Sequence, residues 1–199
     1  MSSEPSWTFR PLTDDDLTLL HVWLNEPGVV RFWEGDDVSW PGVIADYGSP
    51  ELRDTLATDY PDYAYDAEEA DFDWVHVERY FALLDGEPAG WIQCLAIEPY
   101  DDHPEIVAWL DMGFDESGAT IDYLLGDPAL RGQGFGSSMI AEFIDQVVFG
   151  KHPEWTQVGV SPVHANAASC GALRKAGLSL VGSFEDPKFG QCDLYTRRR

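Results

Sequence analysis

The chain has 199 residues, 44% of them hydrophobic, enough for one domain with a sizeable core and too apolar for a disordered chain. Its 36 acidic and 12 basic residues give a net charge of −24, which repels nucleic acid and anionic membrane and attracts cations. No apolar run approaches the roughly 20 residues that a membrane-spanning helix needs.

The first residues, Met1 to Ser6, lack the basic-then-apolar pattern of a signal peptide, and there is no lipidation signature. Cys94, Cys170 and Cys192 are an odd number without metal-ligand spacing. They read as reduced thiols in a cytoplasmic protein, which argues against a disulfide framework and a zinc site. The charge is uneven: residues 34–78 hold 14 carboxylates and one arginine, Arg53, a net −13.

In chain order, Trp7 to Leu12 alternates as a first strand. Thr13-Asp-Asp-Asp16 caps a helix that buries Leu17, Leu20 and Leu24 and stops near Asn25-Glu-Pro-Gly28. A short helical or irregular stretch carries Val29, Val30, Phe32 and Trp33. Residues 34–78 predict a helix around 50–58 and a loop at Asp59 to Asp66, and they can be read as a solvated acidic insertion. Arg79 to Leu84 and Ala89 to Ala96 are apolar runs joined through Asp85-Gly86, a hairpin signal. A strand at Ala119 to Leu125 precedes a glycine-rich turn and a helix over about 134–149, with Met139, Ile140, Phe143, Ile144, Val147 and Val148 as its buried stripe. A strand at Thr156 to Val160, a helix over about 166–176 ended by Gly177, and strands near 178–185 and 190–196 complete the order. This is an α/β pattern with a mixed sheet.

The most informative segment is Leu125-Gly-Asp-Pro-Ala-Leu-Arg-Gly-Gln-Gly-Phe-Gly136. A strand leads in and an amphipathic helix leads out. Glycines at 132, 134 and 136 let backbone amides converge without side chains in the way. The helix N-terminus adds partial positive charge, so the turn suits a pyrophosphate, with Arg131 as a bidentate phosphate donor. The spacing is neither the dinucleotide fingerprint nor a Walker loop.

Arg131-Gly-Gln-Gly-Phe-Gly136 resembles the R/Q-x-x-G-x-G/A acyl-CoA motif of GNAT acyltransferases, and Asn166 to Gly177 resembles the second motif of that family. The chain is most similar to aminoglycoside 6′-N-acetyltransferases and related siderophore-building acyltransferases. The landmarks are Phe9-Arg-Pro-Leu12, Trp23-Leu-Asn25, Val30-Arg-Phe-Trp33 with Gly35, Asp85 to Gln93, and Thr120 to Leu125.

The resemblance implies a single GNAT domain over 1–199, a mixed central sheet flanked by helices, with an acidic insertion at about 42–78. It implies acetyl-CoA as co-substrate and no metal. The cofactor residues would be Tyr123, Leu124, Leu125, Arg131, Gly132, Gln133, Gly134, Phe135, Gly136, Asn166 and Leu173. The strands at 120–125 and 156–160 would splay to admit the pantetheine arm, and an amide near Leu124 would polarise the thioester carbonyl.

Asp122 is the expected base: a carboxylate among Ile121, Tyr123, Leu124 and Leu125 fits a strand face that lines a cleft, where burial raises its basicity. Many family members place a thiolate-protonating Tyr where this chain has Leu173; Tyr123 and Tyr195 are the alternatives. Trp33, Trp91, Gln93, Trp109 and Asp111 fall on strands or loops flanking the acceptor side in the family, and Asp122 would also touch the acceptor. The two tryptophans Trp33 and Trp91 read equally as core. His76, His103, His152 and His164 read as surface residues. The functional expectation is acetyl transfer to a primary amine of a cationic small molecule, an aminoglycoside 6′-amine, by a monomer or homodimer. The alternatives are another amine (a siderophore hydroxylamine, a polyamine or a protein amine) and a non-catalytic acyl-CoA sensor.

Overall fold

The computed structural model describes residues 5–33, 37–60 and 76–199. Strand β1 (Trp7–Pro11) enters a turn in which the Asp16 carboxylate accepts hydrogen bonds from the backbone and hydroxyl of Thr13, at 3.0 and 2.9 Å. Arg10 closes the same carboxylate with two bonds of 2.6 Å. Helix α1 (Leu17–Leu24) and the single turn α2 (Pro27–Val30) follow. Helices α3 (Trp40–Tyr47) and α4 (Pro50–Asp59) each start at a serine whose hydroxyl accepts an amide of the first turn, with proline just inside.

The hairpin of β2 (Val77–Leu84) and β3 (Glu87–Ala96) turns at Asp85 and Gly86, whose φ angles of 52° and 91° match the twist that a two-residue loop must supply. Helix α5 (Pro104–Asp111) precedes β4 (Ala119–Leu125). Helix α6 (Phe135–Phe143) continues through a π-turn at Ile144–Val148. Strand β5 (Gln157–Val160), helix α7 (Ala167–Lys175) and the hairpin of β6 (Ser179–Asp186) and β7 (Gly190–Arg198) close the chain. Gly177, at φ 91°, takes the left-handed position that ends α7.

The seven strands form one sheet in the order β1-β2-β3-β4-β5-β7-β6. All neighbours are antiparallel except β4 and β5. The period of two in β3 and β4 feeds two cores. Ile92 and Ile121 face Met139, Ile140 and Phe143 of α6, whereas Trp91 and Leu124 face Leu20, Trp23 and Val43 of α1 and α3. A smaller cluster of Ile97, Ile106, Trp109, Phe114 and Leu194 anchors α5. Among the described residues, no helix is long and apolar enough to cross a membrane.

Two elements differ from the sequence reading. Trp109 and Asp111 lie on helix α5, not on a strand or loop. Residues 40–47 are helical and bury Val43, Ile44, Ala45 and Tyr47, so this part of the acidic segment packs against the sheet. Of the loop expected at 59–66, Asp59 ends α4 and Tyr60 follows it; residues 61–66 lie outside the described residues. Gly35 also lies outside them.

Gly126, which joins β4 to the glycine-rich turn, has no room for a side chain. An added Cβ would sit 2.0 Å from the Trp23 ring, which stacks on Phe81 at 5.0 Å. Gly126→Ala should cost about 1–3 kcal/mol in urea unfolding. Gly171→Ala, on α7 where an added Cβ meets nothing, should instead stabilise by up to about 1 kcal/mol. Equal effects would mean that the Trp23 contact does not constrain this corner.

Candidate active site

Strands β4 and β5 pair only at Ala119↔Val158 and Thr120↔Gly159. Beyond Thr120 they part. The gap is the throat of a cleft of roughly 1090 Å³, lined on one side by Ile121 to Leu125 and on the other by Val160 to Val163. A parallel pair that stops bonding inside the sheet leaves backbone groups of both strands facing the opening.

The glycine turn closes one end. Gly132 and Gly134 line the cleft with φ of 76° and 95°, and a Cβ on either would meet nothing within 4 Å. Gly134 is the N-cap of α6, and no side chain caps that helix. Its first amides and partial positive charge therefore remain for an anionic ligand. Gly136 and Ser137 line the same wall.

Arg131 lines it too, but its guanidinium is engaged: Nη1 donates to Glu26, and Nη2 donates to the Leu125 carbonyl at 3.0 Å. The Arg131 hydrogen bond holds the Glu26 carboxyl below its ordinary range, outweighing partial burial. Three of the five guanidinium N–H groups remain for a ligand.

Asp122 forms the floor. It stands opposite Gln93 across the β3–β4 ladder, and the Gln93 amide donates to it at 2.7 Å. The side chain is reached through the cleft yet enclosed by protein on its other sides. Desolvation therefore raises its pKa above the ordinary 3.8, with the Gln93 bond pulling the other way. Gln93 Oε1 is buried without a partner among the described residues, an acceptor left for a ligand donor. Beside Asp122, the Tyr123 hydroxyl bonds Ser169 of α7 at 2.7 Å, and burial pushes its pKa up, so it remains protonated at neutral pH.

The cleft is also lined by Phe32 and Trp33 after α2, Asp46 and Tyr47 of α3, and Glu105 of α5. Trp33 meets Trp91 edge-on at 5.5 Å, and Tyr47 meets Trp91 at 5.4 Å.

Asp122, Tyr123, Leu124, Leu125, Arg131, Gly132, Gly134, Gly136 and Asn166 thus share one cleft with Trp33 and Gln93. Asn166 caps α7 through the Ser169 amide at 3.1 Å. Other expected residues lie elsewhere. Leu173 is fully buried in the core under α6, Phe135 packs on that core, and Gln133 turns back to the Ala129 carbonyl. Trp91 is fully buried and supports the wall from behind. Asp111 is exposed at the end of α5, where the helix turns its side chain from the cleft. Tyr195 is buried and accepts from Arg174 at 2.8 Å, apart from the cleft lining.

The sequence reading missed Glu105, Ser161 and Tyr47. The helical spacing of Ile106, Trp109 and Leu110 after His103-Pro104 was the available signal for α5. His103 is exposed at the N-cap of α5 and lines the cleft mouth. His152 contacts Glu78 and Glu154 and stacks on Trp155, and His164 pairs with Asp193. Glu78, Cys94 and His152 also come within 4.8 Å of one another, a grouping no spacing announced. The three cysteines are free thiols.

A family model described as an acetyltransferase (GNAT) domain matches residues 7–179. Aminoglycoside N(6')-acetyltransferase type 1 from Klebsiella pneumoniae is 27% identical over 186 residues, covering 94% of this chain and 80% of that protein; the same figures hold for the Serratia marcescens protein of that name. The solved structure of AAC(6')-Ib in complex with parmomycin and acetyl-CoA superposes with a TM-score of 0.74 at 26% identity, covering 98% of this chain and 94% of the other. The complex of AAC(6')-Ib with coenzyme A and kanamycin gives 0.71 at 25%, covering 98% and 95%.

The raised pKa of Asp122 has a sign that can be measured. Its neutral form is favoured in the fold, so the wild-type chain loses stability as pH rises from the ordinary value of 3.8 through the raised one. Asp122→Asn carries no charge to desolvate. Its melting temperature should exceed wild type at pH 7, on the order of 2–4 °C, and converge on it below about pH 4. A deficit at pH 7 would show that ionised Asp122 is stabilised and not strained.

Proposed function

The chain belongs to the GNAT acetyltransferase family, and from that premise we propose that it moves the acetyl group of acetyl-CoA directly to a primary amine of a polycationic acceptor, the 6′-amine of an aminoglycoside, with Asp122 as base. The chain is read as one such domain, with the acidic insertion at about 42–78, acting in the cytoplasm. The observation that carries the reading is the position of Asp122: one cleft holds it, an uncapped helix N-terminus for a pyrophosphate, and an acidic wall for a cation.

The residues fit acetyl-CoA. The open space over Gly132 and Gly134 suits a pyrophosphate approaching the α6 amides, and Arg131 shares its guanidinium between Glu26 and that anion. Acetyl-CoA supplies an activated acyl group with a thiolate as its leaving group. A backbone amide near Leu124, on the edge of β4 that faces the gap, would polarise the thioester carbonyl. Asp122 takes the proton of the attacking amine, with its basicity raised by desolvation and its orientation fixed by Gln93. Tyr123 is the proton donor to the departing sulfur: it lines the cleft and stays protonated, whereas Leu173 is in the core.

Relatives named for aminoglycoside acetylation support the acceptor class, and so do Asp46, Glu105, Asp122 and Asp186 around the cleft. A flat aromatic wall of Phe32, Trp33 and Tyr47 suits a sugar ring.

Two variants test the assignment. Gly134→Val should abolish acetyl-CoA binding by calorimetry, because its side chain would occupy the space over the amides. Asp122→Asn should lower kcat by about 100-fold or more, as loss of a general base does, while acetyl-CoA affinity stays within about threefold. Unaltered kcat across pH would remove Asp122 from the base role.

A further inference from the structure

The α6 face of the sheet carries three side chains of metal-ligand type that the reaction above does not use. Glu78 of β2 and Cys94 of β3 stand opposite each other in the ladder. Cys94 belongs to the core under α6, whereas its neighbour Gln93 lines the cleft on the other face. His152 follows Phe149–Lys151, the single turn that ends the α6 segment. One ligand atom from each of the three lies within 4.8 Å of the others.

The His152 ring is held in one orientation. It stacks on Trp155 with centroids 3.7 Å apart, and its Nδ1 lies 3.1 Å from the Glu154 carboxylate. A carboxylate only accepts, so Nδ1 carries the hydrogen and the neutral imidazole keeps its lone pair on Nε2. That nitrogen is buried and makes no hydrogen bond among the described residues, yet it lies 2.8 Å from Glu78 Oε1. Two lone pairs that close need a cation to join them, either a proton or a metal ion. The second Glu78 oxygen accepts the Tyr80 hydroxyl, and Lys151 donates to Tyr80 at 3.0 Å.

We propose that Glu78, Cys94 and His152 form a zinc-binding site that clasps the β2–β3 hairpin to the end of the α6 segment, apart from the acetyl-transfer cleft. Imidazole, thiolate and carboxylate are ligand types that zinc takes, with water as the fourth. Glu154 behind the imidazole and Tyr80 behind the carboxylate orient the ligands, as outer partners of a metal do. Zinc bonds of about 2.0–2.3 Å put tetrahedral ligand atoms roughly 3.3–3.8 Å apart, so no pair has to close by more than about 1.5 Å. Burial, with the charge of Glu78, keeps the Cys94 thiol protonated in the free chain. On binding, its S–H bond breaks, the proton passes to solvent and the sulfur lone pair forms the S–Zn bond. Thiolate and carboxylate then balance the charge of the ion. Glu78, with 39% of its side chain exposed, opens the site to solvent.

The test uses the full chain, reduced, stripped by a chelator and dialysed. It is titrated with zinc against a chromophoric chelator and, separately, with cobalt(II). One zinc per chain should bind with a Kd on the order of 1 μM or tighter. At about 100 times that Kd, zinc should raise Tm by on the order of 5 °C. Cobalt should give a thiolate-to-metal charge-transfer band in the near ultraviolet. The band should vanish in Cys94→Ala and persist in Cys170→Ala and Cys192→Ala, which separates this site from the other thiols. Glu78→Gln and His152→Gln leave the core thiol in place and should weaken zinc at least about 100-fold, and Glu154→Gln about 10-fold. No stoichiometric zinc, a cobalt spectrum without the thiolate band, or zinc affinity unchanged in Glu78→Gln and His152→Gln would overturn the proposal. His152 would then be an imidazolium held between Glu78 and Glu154.

Discussion

The structure depends on the place where β4 and β5 stop pairing. Two residue pairs hold the strands together, and the remaining five residues of β4 run free of β5. An interrupted parallel pair is costly inside a sheet, because backbone donors and acceptors lose their partners. Here the cost is offset by packing on both faces: Ile121 is locked under α6, and Leu124 is locked under α1 and α3. Gly126 then lets the chain leave β4 pressed against Trp23, which aims the glycine turn and the α6 N-terminus at the gap. The cleft is therefore built by the sheet and is not an accident of loops.

Charge does the rest. The chain is strongly acidic, yet the cradle end of the cleft presents helix amides and Arg131, with Glu26 as the guanidinium's internal counter-ion. The same cleft is lined by four carboxylates, Asp46, Glu105, Asp122 and Asp186, of which Asp122 and Glu105 are enclosed enough for burial to raise their pKa values. In the proposed reaction such a distribution would draw an anion to one end and a cation to the other and bring the two reactants together. The same acidic field would favour the protonated form of a bound amine, so the proposed reaction needs a base within reach, and burial raises the pKa of Asp122.

Much of this was legible in the sequence because it rests on local signals. Asp85-Gly86 marked the hairpin, Gly177 the end of α7, and the alternate glycines the turn ahead of α6. Asp122 stood out as a carboxylate inside an apolar strand, and the structure puts it at the floor of the cleft. What stayed hidden depends on packing. Helices α3 and α5 are eight residues each, too short for periodicity to separate them from loop, and α3 sits in an acidic stretch that reads as solvated. Glu105 acquires its meaning only through Ser161, 56 positions away. Leu173 and Trp91 have the right positions in the chain for the site but turn into the core, a distinction that one side of a helix or strand decides. The acids Asp66, Glu68, Glu69 and Asp71 of the dense segment lie outside the described residues.

The proposed reaction requires the open β4–β5 gap to be the channel for acetyl-CoA. Amide hydrogen exchange, measured with and without saturating coenzyme A, tests it most directly. Amides of residues 121, 123 and 125, on the edge of β4 that faces the gap, and of 134–137 should exchange faster than those of 122 and 124, which pair with β3, and should slow by at least about tenfold on binding, since the ligand would cover both the gap and the helix start. Protection confined to other segments, or binding that leaves these two unchanged, would contradict the account.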